Sequence, residues 1–173
     1  MTRTITLIAA TALLSLGACA KKRPEVLPPA PVGSGADAGT GVTDPNAGGA
    51  VVPGSDADFQ RSVTSNTVLF ALDQYDIDAQ ARAILDSQVE WLNRYPNVRI
   101  TIEGHADERG TREYNLGLGD RRANAAKNYL AARGVSPARI SVISYGKERP
   151  VALGSDDDSW ARNRRAVTVV VGQ

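Results

Sequence analysis

Between Val98 and Gly134 the pattern of apolar residues changes from strict alternation to the pattern of a helix, and this change limits how the chain can fold. Val98 to Gly104 alternates apolar and polar side chains, which predicts a β-strand with one buried face. Residues 105–111 form a polar loop, and Arg112 to Arg133 is predicted as a long helix that ends at Gly134. We therefore expect a helix packed against the strand that precedes it, as in layered α/β domains.

Further strand and helix signals surround this unit. Strands are expected at Asn66–Ala71, Ile140–Tyr145 and Ala166–Val171, and helices at Ala79–Arg94 (capped by Asp78) and Ser155–Arg164 (capped by Ser155). Because helices join the strands in the order β-α-β-α-β-(α)-β, we expect parallel pairing with right-handed crossovers. The predicted fold class is α/β, an α+β sandwich with helices packed on a mixed four-stranded sheet.

The first residues have the pattern of an export signal. A short positive start precedes an apolar segment, Ile5 to Leu16, that is too short to span a bilayer. Residues 16–19, Leu-Gly-Ala-Cys, resemble a bacterial lipobox, in which the cysteine is acylated and becomes the first mature residue. We assign residues 1–18 to a lipoprotein signal peptide and Cys19 to lipidation, with an ordinary secretory signal as the alternative. Ala20, where an aspartate would favour retention at the inner membrane, favours the outer membrane.

A linker separates this N-terminus from the predicted domain. Between Pro24 and Ser55 the sequence is rich in Pro, Gly and Ala and has no lasting periodicity. Such a segment cannot bury enough apolar surface to offset the entropy of ordering it. We predict a disordered tether over residues 19–57 and one domain over residues 58–173. A coil of the linker's length spans about 30 Å on average and about 100 Å when stretched.

The loop and helix that follow the alternating strand carry two opposite charges. Asp107 lies in the loop, and Arg122 lies further along the helix. An arginine fork binds a carboxylate and an aspartate accepts hydrogen bonds from an ammonium group, so the pair suits a zwitterion. An internal salt bridge is the alternative. The net charge of +1 argues against a nucleic-acid partner, which requires a concentrated basic surface.

Residue types suited to catalysis are scarce in the chain. Glu103, His105 and Asp107 alternate and would share one face of an extended chain, like the ligands of a metal-dependent hydrolase. The chain has one histidine and one cysteine, however, and no serine lies in a nucleophile-elbow motif. We expect a binding protein that is not an enzyme and has no metal or cofactor. The hydrolase and a periplasmic tether that binds only proteins are the alternatives, and His105 is expected to fix the loop by hydrogen bonds.

Several motifs together resemble one known family. They are residues 104–111 (Gly-His-Ala-Asp-Glu-Arg-Gly-Thr), 113–115 (Glu-Tyr-Asn), 118–119 (Leu-Gly), 121–124 (Arg-Arg-Ala-Asn), 144–148 (Ser-Tyr-Gly-Lys-Glu) and 163–165 (Asn-Arg-Arg). As a set they resemble the OmpA-like peptidoglycan-binding domain over about residues 66–171, and the lipobox and tether resemble the lipoproteins of that family. Asp120 stands where the family often has glutamate. Residues 70–73 are Phe-Ala-Leu-Asp, where Phe-Gly-Phe-Asp is common, which affects a packing contact beside the ligand.

This resemblance implies non-covalent binding of the meso-diaminopimelate residue in peptidoglycan stem peptides, held by Asp107 and Arg122. The expected site also includes helix-face neighbours of Arg122, backbone N–H groups at the helix start and the end of the first strand: Asn115, Leu118, Gly110, Thr111 and Asp73. The family further implies TolB and other components of the Tol–Pal system as partners, an outer-membrane lipid anchor, and a role in envelope integrity during cell division. For a TolB-type partner, Glu108 and Arg109 are the exposed candidates.

Overall fold

Four helices and four strands occupy residues 51–171, the part of the chain that the computed structural model describes. The helices are α1 (Asp56–Ser62), α2 (Ala79–Arg94), α3 (Arg112–Ala132) and α4 (Asp157–Asn163), and the strands are β1 (Thr67–Leu69), β2 (Ile100–His105), β3 (Ile140–Gly146) and β4 (Arg165–Val170). A 3-10 turn, Pro137–Arg139, precedes β3. The predicted signal peptide, Cys19 and most of the predicted linker lie outside the described residues. None of the described helices is long and apolar enough to cross a membrane.

The strands form one mixed sheet in the order β1-β4-β2-β3, which confirms the predicted fold class. β2 and β3 are parallel and are joined through α3, as the strand–helix–strand pattern predicted. The expectation of parallel pairing was wrong for β4, which runs antiparallel to both β1 and β2. A parallel strand can follow only if the connection carries the chain back along the whole length of the sheet. Helix α4 is about 10 Å long, whereas a six-residue strand is about 20 Å long, so α4 is too short to do this.

Helices α2 and α3 cover one face of this sheet, and their ends follow local sequence signals. Asp78 caps α2 as predicted, its carboxylate accepting from the backbone N–H of Ala81 at 2.7 Å. Gly134, at φ 98°, follows α3 in the left-handed conformation expected of it. The predicted cap of α4 was wrong by one residue, because Asp156 rather than Ser155 accepts from the N–H of Ser159.

Helix α1 was not predicted, and it begins two residues inside the segment expected to be a linker. Its N-cap is Ser55, whose hydroxyl accepts from the backbone N–H of Asp58. Phe59 packs edge-on against Trp91 of α2 with ring centroids 4.9 Å apart. The Trp91 indole N–H also donates to the Asp58 carboxylate at 3.1 Å. A seven-residue helix gains little from local propensity, so this docking to α2 accounts for its formation.

Two glycines let α3 lie directly on β2. A Cβ atom at Gly104 would overlap the carbonyl oxygen of Gly119, and a Cβ at Gly119 would crowd the Ser144 hydroxyl and the Gly104 backbone. The absence of a side chain at Gly119 therefore admits the backbone of β2. This contact brings the middle of α3 beside the loop that follows β2.

The opposite face of the sheet carries side chains that neither α2 nor α3 covers. Thr67, Val167, Glu103 and Ile143 form one cross-strand row on it, each opposite the next. Ile143 is 40% exposed, although apolar. We refer to this surface as the open face.

His105 ends β2 on the open face, where its ring is buried without a hydrogen bond. Only 2% of the residue is exposed, and neither ring nitrogen has a partner within the described residues. Its Nε2 lies 3.6 Å from Glu103 Oε2, and its ring faces Tyr145 at 5.6 Å between centroids. Burial, with the charges of Arg165 and Arg149, lowers the pKa of His105 to about 4. The imidazole therefore does not fix the loop by hydrogen bonds, contrary to expectation.

We expect Gly104→Ala to lower the free energy of unfolding by about 3 kcal/mol or more, because the added methyl must push α3 away from β2. Gly117→Ala is the matched control in the same helix, since a Cβ there meets only the end of the Arg121 side chain at 3.9 Å. That alanine should stabilise the domain by about 0.5–1 kcal/mol. Urea unfolding followed by circular dichroism measures both values. Equal stability of Gly104→Ala and the wild type would contradict the close contact.

The pKa of His105 predicts a pH dependence of stability. The folded imidazole stays neutral down to about pH 4, whereas the unfolded chain binds a proton below about pH 6.5. Above about pH 6.5 the neutral ring makes its full contribution to the free energy of unfolding. As the pH falls towards 4, this contribution is lost by up to about 1.4 kcal/mol per pH unit.

His105 is the chain's one histidine, so an NMR titration of its imidazole protons measures the pKa without ambiguity. Urea unfolding between about pH 4 and 6.5 measures the slope, which His105→Phe should flatten. A titration midpoint near the ordinary value of about 6.5 would contradict the prediction.

Candidate binding cleft

A cleft of about 380 Å³ opens where the loops after β1 and β2 meet the first turns of α3. Its lining residues are Leu72, Asp73, Asp107, Arg109, Gly110, Tyr114, Asn115, Leu118 and Arg122. Six of the seven residues expected at a binding site lie in this lining. The seventh, Thr111, instead caps α3, its hydroxyl accepting from the backbone N–H of Tyr114.

Arg122 projects from α3 into the base of the cleft and is fully buried. It donates to three backbone carbonyls, those of Gln74 at 2.8 Å, His105 at 2.9 Å and Ala71 at 3.2 Å. These bonds use three of its five N–H groups and tie the loops after β1 and β2 to the helix. The arginine therefore shapes the cleft as well as lining it.

The charge of Arg122 is not neutralised by an ion pair within residues 51–171. Burial, reinforced by the nearby charge of Arg164, lowers the pKa of the Arg122 guanidinium to about 10, although Asp107 opposes this shift. A buried cation without a paired anion is costly, so an anion that enters the cleft would be stabilised there.

Asp107 is almost fully buried on the same cleft, and its partners are two other arginines. Its carboxylate accepts from Arg109 Nη2 at 2.7 Å and from the Arg109 backbone N–H at 3.1 Å, with Arg164 Nη1 at 3.4 Å. Burial raises the pKa of Asp107, but the hydrogen bonds and charge of Arg109 and the bond from Arg164 outweigh it and hold the pKa below its usual value. Asp107 is therefore ionised at neutral pH. Asp107 and Arg122 share the cleft without the internal salt bridge that was the alternative.

Side chains from α4 and from the loop after β3 support the loop that carries Asp107. The Arg109 guanidinium stacks on Trp160 of α4 at 4.1 Å, and the Trp160 indole N–H donates to the Glu108 carboxylate at 2.9 Å. Lys147, in the loop after β3, donates to the carbonyls of Glu108 and Gly110. Glu108 is exposed, as expected for a protein-contact candidate, whereas Arg109 is partly covered and lines the cleft.

The wall opposite this loop is formed by Asp73 and the start of α3. Asp73 has a positive φ of 58°, which is unusual for a residue other than glycine, and its carboxylate accepts from the Tyr114 hydroxyl. That hydrogen bond, with partial burial, raises the pKa of Tyr114. Asn115 donates to the Arg109 carbonyl at 2.8 Å, so its amide positions the loop.

Three residues of this lining were not among the residues expected at the site from the sequence: Leu72, Arg109 and Tyr114. Leu72 belongs to the motif at residues 70–73, for which only a packing contact beside the ligand was expected, and Arg109 was expected to contact a protein partner. Tyr114 precedes Asn115 within the motif at residues 113–115. Its contact with Asp73 joins positions 41 residues apart, and no local pattern reveals such a pair.

The possible metal ligands do not assemble in the described residues. Glu103 and His105 lie near each other on the open face, whereas Asp107 lies in the cleft among arginines. No group of three or more His, Cys, Asp or Glu residues within 51–171 is arranged to hold a metal ion. The geometry of the cleft suits a small ligand that carries both charges, with acids at its wall and a buried guanidinium at its base.

Comparison with known proteins places this domain in a family. Residues 69–164 match the OmpA family. The peptidoglycan-associated lipoprotein of Rhizobium meliloti (strain 1021) is 49% identical over 166 residues, which cover 96% of this chain and 87% of the relative. That of Brucella melitensis biotype 1 is 56% identical over 124 residues, covering 72% of this chain and 73% of the relative.

A solved structure supports the same placement. The crystal structure of the peptidoglycan-associated lipoprotein from Burkholderia pseudomallei is 45% identical and superposes with a TM-score of 0.61, covering 62% of this chain and 91% of that one. The chain therefore belongs to the OmpA family, among the peptidoglycan-associated lipoproteins.

Proposed function

We propose that the cleft binds the meso-diaminopimelate residue of peptidoglycan stem peptides non-covalently. The observation that carries this proposal is the buried Arg122 guanidinium, which has no ion pair within residues 51–171 and faces the same cleft as the ionised Asp107. The free end of meso-diaminopimelate has a carboxylate and an ammonium group on one carbon atom. It therefore supplies an anion for Arg122 and a cation for the acids.

The ligand carboxylate pairs with Arg122, which has two N–H groups beyond those bonded to backbone carbonyls. The ammonium is received by Asp107 and Asp73, the two carboxylates that line the cleft. Hydrogen bonds to charged groups contribute about 1.5–3 kcal/mol each, and more of this is realised where water is excluded. The apolar side chains of Leu72 and Leu118 provide a surface for the methylene groups of the ligand.

The activity that follows is attachment rather than catalysis. The cleft has charged groups that bind and orient a ligand, and the relatives bear the name of a lipoprotein associated with peptidoglycan. With Cys19 acylated and the tether leading to the domain, such binding would join a membrane to the cell wall. Ala20 supports the outer membrane as the site of that anchor.

We further infer that the protein acts in the Tol–Pal system, with TolB and other Tol components as partners, in maintaining the envelope during cell division. Membership of the peptidoglycan-associated lipoproteins supports this inference. Glu108 is the exposed residue of the cleft loop that a TolB-type partner would contact. Arg109 is less available, because it is held between Asp107 and Trp160.

Two substitutions test the cleft. Asp107→Asn removes the anion, and Arg122→Lys keeps the positive charge but loses the planar fork. Each should weaken co-sedimentation with purified sacculi that contain diaminopimelate by about 10–100-fold, the equivalent of one lost charged hydrogen bond. Free meso-diaminopimelate should compete with the wild-type protein for the sacculi.

Arg121→Ala is the matched control, because Arg121 is the exposed neighbour of Arg122 on α3 and should be dispensable for binding. Circular dichroism and urea unfolding must show that each variant is folded, since Arg122 also holds three carbonyls. Folded Asp107→Asn and Arg122→Lys variants that sediment like the wild type would overturn the assignment of this cleft.

The lipid anchor is tested separately in growing cells. Radiolabelled palmitate should be incorporated into the wild-type protein and not into Cys19→Ser, because the acylated thiol is absent from the variant. Washed membranes should retain only the labelled form, since several acyl chains anchor a protein firmly. Palmitate label on Cys19→Ser would contradict lipidation at this residue.

A further inference from the structure

A second groove, of about 430 Å³, lies on the open face of the sheet. Its walls include Leu69, Glu103, Val151, Arg162, Arg165 and Val167. None of these residues lines the cleft described above.

The apolar part of this groove is exposed to solvent. Leu69 and Val151 are 47% and 63% exposed, and Val167 on β4 is partly buried. Leu69 lies directly opposite Arg165 in the pairing of β1 with β4, and Val167 lies opposite Glu103 in the pairing of β2 with β4. Apolar side chains that cluster at a concave surface with a charged rim are typical of interaction sites.

The charged part of the groove is mainly basic. Arg162 is exposed on α4, and Arg165 is buried, with two of its N–H groups donated to the carbonyls of Asn163 and Arg149. Neither guanidinium forms an ion pair within residues 51–171. Burial lowers the pKa of Arg165, with the charge of Glu103 acting in the opposite direction. The groove therefore offers an exposed cation, Arg162, and a buried one, Arg165, beside an apolar floor, with Glu103 as the carboxylate of its lining.

We propose that this groove docks an extended segment of a partner protein in which apolar and acidic side chains alternate. In an extended chain successive side chains point to opposite sides, so a bound segment can place apolar groups on Leu69, Val151 and Val167 while a neighbouring carboxylate meets the exposed Arg162 at the rim. Arg162 supplies an exposed cation, and Arg165 supplies a buried one held by backbone carbonyls. Charge complementarity selects an acidic segment over a basic or neutral one.

Two other occupants fit less well. A flat anionic membrane does not enter a concave groove. A second copy of the same surface would place Arg162 and Arg165 against their own counterparts across a twofold axis, which like charges oppose. Because the groove and the cleft share no lining residue, a partner can occupy the groove while the cleft holds its own ligand.

The test uses the chain without residues 1–18 and with Cys19→Ser, labelled with nitrogen-15. The probe is the synthetic peptide acetyl-Leu-Glu-Val-Asp-Leu-Glu-amide, and its control has Gln and Asn in place of Glu and Asp. Saturable NMR shifts should centre on Leu69, Val151 and Val167 with the acidic peptide, and resonances of the cleft should not move. The neutral peptide should bind about tenfold more weakly, as expected when one charged contact is lost.

Arg162→Ala should weaken binding of the acidic peptide by about tenfold. Arg82→Ala is the matched control, because Arg82 is exposed on α2, which packs on the other side of the sheet. Absence of saturable shifts in the groove, or equal affinity for the two peptides, would overturn the proposal. So would binding of the protein to phosphatidylglycerol vesicles, or its self-association in analytical ultracentrifugation, if Arg162→Ala abolished that binding or association.

Discussion

The hydrogen bonds of Arg122 to three backbone carbonyls hold together the parts of the chain on which the cleft depends. They join α3 to the loop after β1 and to the end of β2, segments far apart in the sequence. The same side chain supplies the positive charge at the base of the cleft. The structure of the cleft and the proposed recognition of its ligand therefore both depend on one guanidinium, whose five donors allow it to serve both.

Close packing of α3 on β2 sets the position of that arginine. The contact between Gly104 and Gly119 brings the helix backbone against the strand, and Arg122 follows less than one turn later. Hydrogen bonds from Lys147 and Trp160 then hold the outer side of the loop that carries Asp107. These contacts hold the charged groups of the cleft in place without a ligand, and such preorganisation would reduce the entropy lost in the proposed binding.

Local patterns in the sequence were sufficient for most elements of the fold. The period of the side chains and the capping residues predicted α2, α3 and the three longer strands closely, because these signals act within a few residues. Helix α1 was missed because contacts with Trp91 of α2 stabilise it. The direction of β4 depends on the length of the connection before it, and it was therefore not visible in the alternation of its own side chains.

In the candidate cleft, too, some residues were predictable from local sequence, whereas contacts between distant residues were not. Asp107 and Arg122 were chosen from their spacing and from a family resemblance, and the structure places both on one cleft. Their immediate partners were not predictable. Arg109 reaches back two residues to Asp107 and also stacks on Trp160, which bonds to Glu108 across 52 residues of sequence. Side-chain pairings of this range depend on the completed fold.

The docking of α1 also has a mechanical consequence. Tension applied to the chain from its N-terminal side enters the domain at this seven-residue helix, whose attachment to α2 rests on the Phe59 and Asp58 contacts with Trp91. The loops and helix that form the cleft lie further along the chain, behind the sheet hydrogen bonds of β1. Under load, α1 would detach before the strands separate, so the chain on its N-terminal side would lengthen while the cleft kept its shape.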